Sequence, residues 1–282
     1  MIYIADATLE RFIKEDVPYL DLTTWGLGIG NAPGKIEFFN REPAVLCGTE
    51  EITRIGRKLN LELGPWLPSG SVLQPGTTVL EATGSAAELH QVWKVAVNIL
   101  EHASGIATRT RQWADRIAAV NPAVGLVTTR KGFPGTKELA TKAVLCGGGM
   151  PHRLGLSETV LIFAQHREFL TATCGDWATV VRKLKLQACE KKILAEAESL
   201  PDALAWVRAG VDGVQVDKVA PAELKGWVEE LRSAAPELTV LAAGGINERN
   251  LEAYAATGVD ALVTSAVYFG KPSDFSAKMN AL

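Results

Sequence analysis

The sequence is poor in cysteine and has no long apolar run, and both absences exclude classes of protein. Its four cysteines form neither a CxxC pair nor a Cys/His set with zinc-ligand spacing, so we expect free thiols in a reducing cytoplasm: Cys47, Cys146, Cys174 and Cys189. No stretch of about 18 apolar residues is present, which predicts no transmembrane helix. The N-terminus lacks the basic and apolar segments of a signal peptide. The sequence therefore predicts a soluble cytoplasmic protein.

Neither sign of charge dominates, with 29 Lys and Arg residues against 32 Asp and Glu residues. Without a basic excess, the composition argues against binding to nucleic acid or to an anionic membrane. Hydrophobic residues make up 47% of the 282 positions, which excludes a disordered or fibrous chain. This length accommodates one α/β barrel with a smaller domain, or two average domains. Any anionic ligand must bind at a local cluster of basic residues.

The first 120 residues mix strand and helix patterns. One predicted helix covers residues 49–63 and would end at Gly64. An S-x-x-E capping box predicts a second helix from residue 86 toward residue 102. Gly105 then either breaks this helix or allows another segment to pack closely against it.

After residue 121 the pattern changes to strands that alternate with helices. The strand-like runs are residues 124–128, 160–163, 193–196, 213–216, 240–243 and 261–264; the helical stretches are residues 177–189, 201–209, 221–234 and 248–256. This alternation predicts a parallel sheet covered by helices. Polar or glycine residues follow several strands, and in an α/β barrel the carboxyl ends of the strands face the active site. The pattern therefore favours a barrel over an open doubly wound sheet.

Two basic clusters follow the first of these strands. Thr129, Arg130 and Lys131 suit a phosphate or carboxylate, because Arg offers two parallel hydrogen bonds and Lys a point charge. The alternative is a solvated basic turn. Three consecutive glycines precede His152 and Arg153, which favours a tight loop near a ligand over a flexible loop with an incidental basic pair.

Two acidic residues, Glu196 and Asp217, lie at the ends of neighbouring strands. Carboxylates that converge in this way can hold Mg²⁺ through oxygen ligands and water. Glu198 would share their face if its strand continued. The alternative is that these acids balance nearby cations, and spacing alone leaves both interpretations open.

Small residues follow the last two strands and would expose backbone N–H groups to a phosphate, as loops after the last strands of barrels often do. They are Ala243, Gly244 and Gly245 after one strand, and Thr264, Ser265 and Ala266 after the next. A helix that begins near Asn247 would add the positive end of its dipole. The alternative is a pair of plain turns.

The run TTRKGFPGTKELATKAVLCGGGMPHRLGL (128–156) resembles the central signature of the quinolinate phosphoribosyltransferases, also called nicotinate-nucleotide pyrophosphorylases. Further matching segments follow in the family's order along nearly the whole chain: DLTT (21–24), NILEHASGIATRT (98–110), AEAES (195–199), VDK (216–218), AAGGI (242–246) and GVDALVTSA (258–266). The segment DLTTWGLGIG is closer to the ModD branch, which is named for its association with molybdate-transport operons.

The resemblance implies an N-terminal α/β sandwich domain over residues 1–107 and an incomplete α/β barrel over residues 108–267. Residues 268–282 are expected to pack on the first domain. It also implies a cytoplasmic homodimer with a shared active site. The implied reaction joins a ring nitrogen to C1 of phosphoribosyl pyrophosphate and releases pyrophosphate bound to Mg²⁺.

The resemblance also implies roles for individual residues. Arg130 and Arg153, with Thr129 and His152 beside them, would hold a carboxylate of the substrate. Lys131 would approach the phosphoribosyl donor, while Glu196 and Asp217 would hold the ribose hydroxyls and the Mg²⁺ shell. The loops at residues 243–245 and 264–266 would hold the 5′-phosphate. Lys94 occupies the place of a family arginine that reaches across the dimer.

Several positions depart from the family pattern. Phe163 stands where the strand motif Leu-Ile-Lys-Asp-Asn-His has its lysine, and only His166 of the residues after it is kept. Trp93 and Lys94 replace Glu-Arg, and Ala243 replaces a serine, which removes one phosphate hydrogen bond of about 1 kcal/mol. Without the lysine, one carboxylate of a dianion would lie unpaired in a dry pocket. These changes predict an acceptor that is a less charged aromatic or heteroaromatic acid.

Three other functions stay open from the sequence. The first is the decarboxylating transfer to quinolinate itself, which forms nicotinate mononucleotide. The second is a non-catalytic protein of molybdate handling, whose basic pocket would bind an oxyanion; the lost lysine favours it, and the paired acids oppose it. The third is a phosphosugar isomerase or aldolase, which explains the phosphate loops but not the resemblance along the whole chain.

Overall fold

A computed structural model describes residues 2–170 and 176–282, so Cys174 lies outside the described residues. The chain divides into two compact units. The first comprises Met1–Gln112, Gly132–Gly148 and Val267–Leu282, and the second comprises Trp113–Lys131 and Gly149–Ala266. Residues 132–148, which the family resemblance placed in the barrel domain, group with the first unit.

The helices and strands mix irregularly in the first third of the chain and alternate more regularly after it. In chain order they are α1 (Asp6–Asp16), α2 (Leu22–Gly26), β1 (Pro33–Asn40), β2 (Ala44–Val45), α3 (Thr49–Lys58), β3 (Glu62–Trp66), β4 (Val72–Leu73), β5 (Thr78–Ser85), α4 (Ala86–Val120), β6 (Gly125–Thr128), α5 (Lys137–Cys146), β7 (Met150–Pro151), β8 (Val160–Ile162), α6 (Ala164–Leu170), α7 (Trp177–Gln187), β9 (Ile193–Ala197), α8 (Leu200–Ala209), β10 (Gly213–Asp217), α9 (Pro221–Ala234), β11 (Thr239–Ala243), α10 (Leu251–Ala255), β12 (Ala261–Thr264) and β13 (Phe275–Ala281). A 3₁₀ turn covers Ala266–Tyr268.

The first unit is built on a four-stranded sheet in the order β13-β1-β5-β3, with antiparallel pairing throughout. Alternate residues of β1, including Ile36 and Phe38, are buried on one face of this sheet. They pack with Ile52 and Ile55 of α3 and with Leu100 of α4 in one apolar cluster. Helices therefore cover one face of a twisted sheet, as expected for an α/β sandwich.

The predicted helix over residues 49–63 is wrong at its end, because α3 stops at Lys58. Asn60 adopts a left-handed conformation, and β3 then pairs with β5. Gly64, interpreted as a helix cap, lies in β3, where an added Cβ would meet the Cβ of Glu81 at 3.2 Å. The glycine thus serves the close approach of two strands, and a register shift accommodates the proline that follows it.

The capping box at the start of α4 is confirmed, since the Ser85 hydroxyl and backbone N–H both donate to the Glu88 carboxylate. The helix continues beyond residue 102, through Gly105, to Val120. A Cβ on Gly105 would lie 3.0 Å from the Ser273 backbone nitrogen. Of the two roles open for Gly105, the structure shows close packing.

The second unit contains a curled parallel sheet of seven strands in the order β7-β6-β12-β11-β10-β9-β8. The short strands β7 and β8 lie at its two edges, so the barrel is incomplete, as predicted. Apolar side chains from successive strands meet inside the curl: Leu161, Leu194, Leu241, Ala243, Ala261 and Val263, with Val127 and Phe163 packed against them.

The helix predicted to begin near Asn247 begins later, at Leu251, and has five residues. Asn247 instead organises a turn: its backbone N–H donates to Asn250 Oδ1 at 2.8 Å, and its Oδ1 accepts from the Arg249 N–H. Local side-chain bonds of this kind compete with helix formation. The prediction of a helix dipole at Asn247 is therefore wrong.

Within the parts of the chain that the structure describes, no helix combines the length and apolar character needed to cross a bilayer. Cys47, Cys146 and Cys189 are free thiols in the structure.

Candidate functional site

The carboxyl ends of the seven parallel strands bring nearly all the predicted site residues to one edge of the sheet. Because parallel strands run in one direction, the residue that follows each strand lies at the carboxyl end of the sheet. Going through the sheet from β7 to β8, the strands supply His152 and Arg153; Thr129, Arg130 and Lys131; Thr264, Ser265 and Ala266; Ala243, Gly244 and Gly245; Asp217; Glu196; and Phe163. Lys94 belongs to α4 in the first unit.

The β6 and β7 ends form a basic group. The His152 backbone N–H donates to the Thr128 carbonyl at 2.8 Å, which extends the pairing of the two strands by one residue. The Lys131 N–H donates to the Thr129 hydroxyl at 3.0 Å and shapes the turn. Burial, and then the charge of Arg153, lowers the pKa of His152, so the imidazole is neutral at neutral pH.

Arg153 is a buried guanidinium, only 8% exposed. One terminal nitrogen donates to the Thr159 carbonyl at 3.0 Å, while Nε is buried and has no acceptor among residues 2–170 and 176–282. Burial, and then the charge of Arg130, lowers the pKa of Arg153. A buried cation beside a second cation is costly unless an anion pairs with it. This arrangement therefore fits a bound carboxylate or phosphate.

The β9 and β10 ends carry the two acids. Glu196 Oε2 accepts a hydrogen bond from Gln215 Nε2 at 2.8 Å, and Lys218 pairs with Asp217 at 2.8 Å. Burial, together with the nearby charge of Asp217, raises the pKa of Glu196 against the opposing bond from Gln215. Strand β9 ends at Ala197, so Glu198 lies beyond it as an exposed residue.

Gln215 is a site residue that was not predicted from the sequence. Its signal was present, because a glutamine at the centre of the apolar run GVQVD shares the inward face with Asp217 two residues later. Cross-strand pairing sets Gln215 opposite Glu196 on one side and Leu241 on the other.

Phe163 follows β8 and packs against the apolar interior of the barrel. Extending the register of Ile162 with Ala195 by one residue places Phe163 beside Glu196. The Phe163 backbone N–H donates to His166 Nδ1 at 3.0 Å, and the two rings stack with centroids 5.8 Å apart. The Phe163 ring, positioned by the turn that follows β8, thus lies next to Glu196.

The two small-residue loops differ in what they can offer a phosphate. The Thr264 hydroxyl donates to the Ile246 carbonyl at 2.9 Å and accepts from the Ala266 N–H at 3.0 Å, so both groups are already engaged. Gly244 and Gly245 have positive φ values of 85° and 74°. Such a turn can present successive backbone N–H groups to an anion, which favours the β11 loop as the phosphate-binding segment.

Replacing Gly244 with alanine is expected to destabilise the protein by about 1–3 kcal/mol from backbone strain alone, with an added clash. The new Cβ would lie 2.6 Å from the Asp217 carboxylate and 2.7 Å from the Lys218 nitrogen. Gly245→Ala is the matched control, because its Cβ would meet nothing within 4 Å at a similar φ. Denaturant unfolding should show the larger loss for Gly244→Ala; equal losses would contradict the clash.

In the first unit, Lys94 is exposed and its ammonium lies 4.5 Å from the centroid of the Trp93 ring. His90 contacts the same ring edge-on, with centroids 6.3 Å apart. Near the start of the chain, Asp21 of the DLTT segment caps α2 by accepting from the backbone N–H groups of Thr23 and Thr24.

Comparisons with known proteins agree with this architecture. The family models for the N-terminal and C-terminal domains of quinolinate phosphoribosyl transferase match residues 21–104 and 106–278. A Pasteurella multocida protein named "Putative pyrophosphorylase ModD" is 38% identical over 97% of this chain and 97% of its own length. Rat nicotinate-nucleotide pyrophosphorylase (carboxylating) is 30% identical over 98% of this chain and 91% of its own. The solved nicotinate-nucleotide pyrophosphorylase of Francisella tularensis superposes with a TM-score of 0.88 at 23% identity, covering 99% of this chain and 98% of its own.

Proposed function

Because this chain belongs to the quinolinate phosphoribosyltransferase family and is a phosphoribosyltransferase, we propose that its acceptor is a nitrogen-containing aromatic acid other than quinolinate. The acceptor's ring nitrogen attacks C1 of phosphoribosyl pyrophosphate, the bond from C1 to the pyrophosphate oxygen breaks, and pyrophosphate leaves. The observation that carries the choice of acceptor is Phe163.

Phe163 puts an apolar ring where the family pattern has a lysine. In this barrel the Phe163 ring packs on the apolar interior, and its register neighbour is Glu196. The position after β8 therefore offers no positive charge to a bound acceptor. Arg130 follows β6 and Arg153 follows the edge strand β7, at the other side of the sheet from β8, and the two suffice for one carboxylate. A second carboxylate near Phe163 would be desolvated without a partner, which costs several kcal/mol. A monocarboxylate acceptor fits this distribution of charge.

We also propose that the transferase uses Mg²⁺. The described residues hold no group of three or more His, Cys, Asp or Glu side chains that could cage a metal ion by themselves. Mg²⁺ is usually bound by one or two carboxylates together with substrate phosphates and water, and the half-buried Glu196 and Asp217 fit that donor set. The ion would neutralise charge on the leaving pyrophosphate.

The chain's own residues supply position and electrostatics. The buried Arg153, with Arg130 facing it, fixes the acceptor carboxylate, and neutral His152 stands beside it as a hydrogen-bonding group. Lys131 contributes positive charge next to the donor. Holding both reactants in line converts a bimolecular step into an effectively unimolecular one, and fixed charges stabilise the charge that develops. The protein need form no covalent bond to substrate.

A homodimer with a shared site is part of the proposal. In the first unit, large apolar side chains around the DLTT segment are exposed, among them Tyr19 at 92%, Leu22 at 70% and Trp25 at 73%. Several large apolar side chains exposed within one short segment are typical of an interaction surface. A second copy of the chain would cover them, and light scattering on the purified protein tests the mass.

The test of the function is pyrophosphate release from phosphoribosyl pyrophosphate and Mg²⁺ across a panel of aromatic and heteroaromatic acids that includes quinolinate. We expect release with a monocarboxylate and at most weak release with quinolinate. Quinolinate turnover with comparable kcat/KM would overturn the choice of acceptor. Binding of molybdate without binding of the donor would instead support the non-catalytic alternative.

Phe163→Lys is expected to raise kcat/KM for quinolinate by at least about tenfold, because one newly paired carboxylate is worth roughly 1.5–3 kcal/mol. The same change should weaken use of the native acceptor. Phe169→Lys is the matched control, since it adds the same charge on the exposed side of the neighbouring α6. An equal gain in both variants would mean that net charge, and not this position, selects the acceptor.

A further inference from the structure

Cys47 and Cys146 lie in the same small apolar cluster of the first unit, although they are far apart along the chain. Cys47 follows β2 and is fully buried, whereas Cys146 is the last residue of α5 and is partly exposed. Both are free thiols. The cluster also contains Ala103 and Ala107 of α4, so both cysteines pack beside the same part of that helix.

Separate contacts hold each cysteine against α4. The Cys47 backbone N–H donates to the Ser104 hydroxyl at 3.0 Å, and that hydroxyl donates to the Cys47 carbonyl at 3.4 Å. Next to Cys146, Gly147 lies so close to α4 that an added Cβ would clash with the Ala107 carbonyl oxygen. Residues three positions apart on a helix, as Ser104 and Ala107 are, lie next to each other on its surface. These contacts bring the two thiols together, and the thiols share a hydrogen bond.

The two thiols differ in acidity. The hydrogen bond from Cys47 lowers the pKa of Cys146 against the opposing effect of burial, and the charge of Lys142, one turn earlier on α5, lowers it further. The carboxylates of Glu50 and Glu51 raise it, and each contributes less. The same hydrogen bond, together with burial, raises the pKa of Cys47. Since the thiolate is the nucleophilic form, the more accessible Cys146 is the thiol that an oxidant meets first.

We propose that Cys47 and Cys146 form a redox modification site, at which hydrogen peroxide converts the two thiols to a disulfide. The Cys146 thiolate attacks one peroxide oxygen, the O–O bond breaks, and hydroxide leaves and takes up the proton that Cys146 had released. The Cys47 sulfur then attacks the sulfur of the resulting sulfenic acid, the S–O bond breaks, and water leaves with the Cys47 proton. In total the two thiols lose two electrons and two protons, and the peroxide is reduced to two molecules of water.

This site does not depend on which acid the enzyme uses as acceptor. Disulfides in cytoplasmic proteins are usually transient and often sense redox conditions, which agrees with a pair that is free in the structure. The glycine run 147–149 follows Cys146 directly and leads into β7. The modification therefore lies at the start of the segment that ends in His152 and Arg153.

The experiment treats the intact, folded protein with a small molar excess of hydrogen peroxide, alkylates the remaining thiols and maps tryptic peptides by mass spectrometry. The four cysteines fall on four different tryptic peptides, residues 42–54, 143–153, 168–182 and 186–191, so each pairing is identified directly. We expect the main oxidised product to join peptides 42–54 and 143–153 and to disappear on reduction with dithiothreitol. Protein unfolded in urea before oxidation should instead favour Cys174 with Cys189, because these two are closest along the chain.

Cys47→Ala removes the resolving thiol and should leave Cys146 as a sulfenic acid, which a cyclic diketone traps on peptide 143–153. Cys189→Ser is the matched control: it removes an exposed thiol of the second unit, and the disulfide should form in the same yield. Oxidation confined to Cys189 would overturn the assignment. So would a Cys47–Cys146 disulfide that forms equally well from urea-unfolded protein, or conversion of Cys146 to a sulfinic acid without a disulfide in the unmodified protein.

Discussion

Arg153→Met is expected to lower kcat/KM for the aromatic acid by about 10²–10³-fold, mainly by raising KM. The reason is that removing one partner of a buried charge pair, here the pair of Arg153 with the carboxylate of the acid, costs roughly 3–5 kcal/mol. The guanidinium has one carbonyl partner and a buried Nε with no acceptor among the described residues. Under the proposed function, its remaining hydrogen-bonding capacity serves the carboxylate of the acceptor. Steady-state kinetics with varied acid, at saturating donor, measures the effect.

The same substitution should leave stability unchanged or raise it. In the free protein Arg153 is desolvated and faces the positive charge of Arg130, so its removal relieves an unfavourable burial. Arg153→Lys should not rescue activity, since an ammonium cannot reproduce the forked geometry. Arg167→Met is the control: Arg167 pairs with Asp202 on α8, and its loss should leave the KM unchanged. A large fall in the unfolding midpoint of Arg153→Met would show that Arg153 is structural.

Residues such as Arg153 could be predicted from the sequence because local pattern and fold agree. In a barrel, the residues at the carboxyl ends of the strands lie at the same end of the sheet. Identifying the strands in the sequence was therefore enough to predict that Arg130, Glu196 and Asp217 lie at that end. The incomplete barrel itself was predicted from the alternation of strands and helices together with the family motifs.

The features that were not predicted from the sequence depend on contacts between segments that are distant along the chain. Strand β3 contains Gly64 and Pro65, both typical of a helix end or a turn, and only its pairing with β5 makes it a strand. The length of α4 was underestimated because the role of Gly105 depends on a segment about 170 residues later. Gln215 was missed because two features identify it, and neither can be read from a single polar residue in an apolar strand. Its side chain donates to Glu196 on the neighbouring strand, and its Oε1 has no donor among residues 2–170 and 176–282.

Lys142→Met is expected to destabilise the protein by about 3–5 kcal/mol, because it breaks a buried ion network from one side. Lys142 on α5 is 2% exposed, and its ammonium lies 2.8 Å from Glu50 and 2.5 Å from Glu51 at the start of α3. All three residues belong to the first unit. Removing the cation leaves the buried carboxylate of Glu51 beside the partly buried carboxylate of Glu50. Denaturant or thermal unfolding at neutral pH measures the loss.

Lys137→Met is the matched control, since Lys137 begins the same helix and is exposed. Exposed charges contribute at most about 1 kcal/mol, so this variant should unfold almost as the unmodified protein does. Equal losses in the two variants would indicate an effect of helix composition and would contradict the buried network.

The difference in unfolding free energy between the unmodified protein and Lys142→Met should depend on pH, and this dependence gives a second check on the ion network. Burial alone would raise the pKa of Glu50, but hydrogen bonds from Lys142 and Ser69 outweigh it and hold that pKa below its ordinary 4.5. The unfolded chain therefore binds the proton more readily, and Glu50 contributes stability above pH 4.5 that is lost as the pH falls through the lower folded-state pKa. Without Lys142, the largest contribution that lowers the pKa of Glu50 is lost, so the folded-state pKa is higher in the variant and acid costs the variant less stability than it costs the unmodified protein. The difference in unfolding free energy between the unmodified protein and Lys142→Met should therefore become smaller as the pH falls from about 7 toward about 4. A difference independent of pH would mean that Lys142 stabilises the first unit through packing of its alkyl chain.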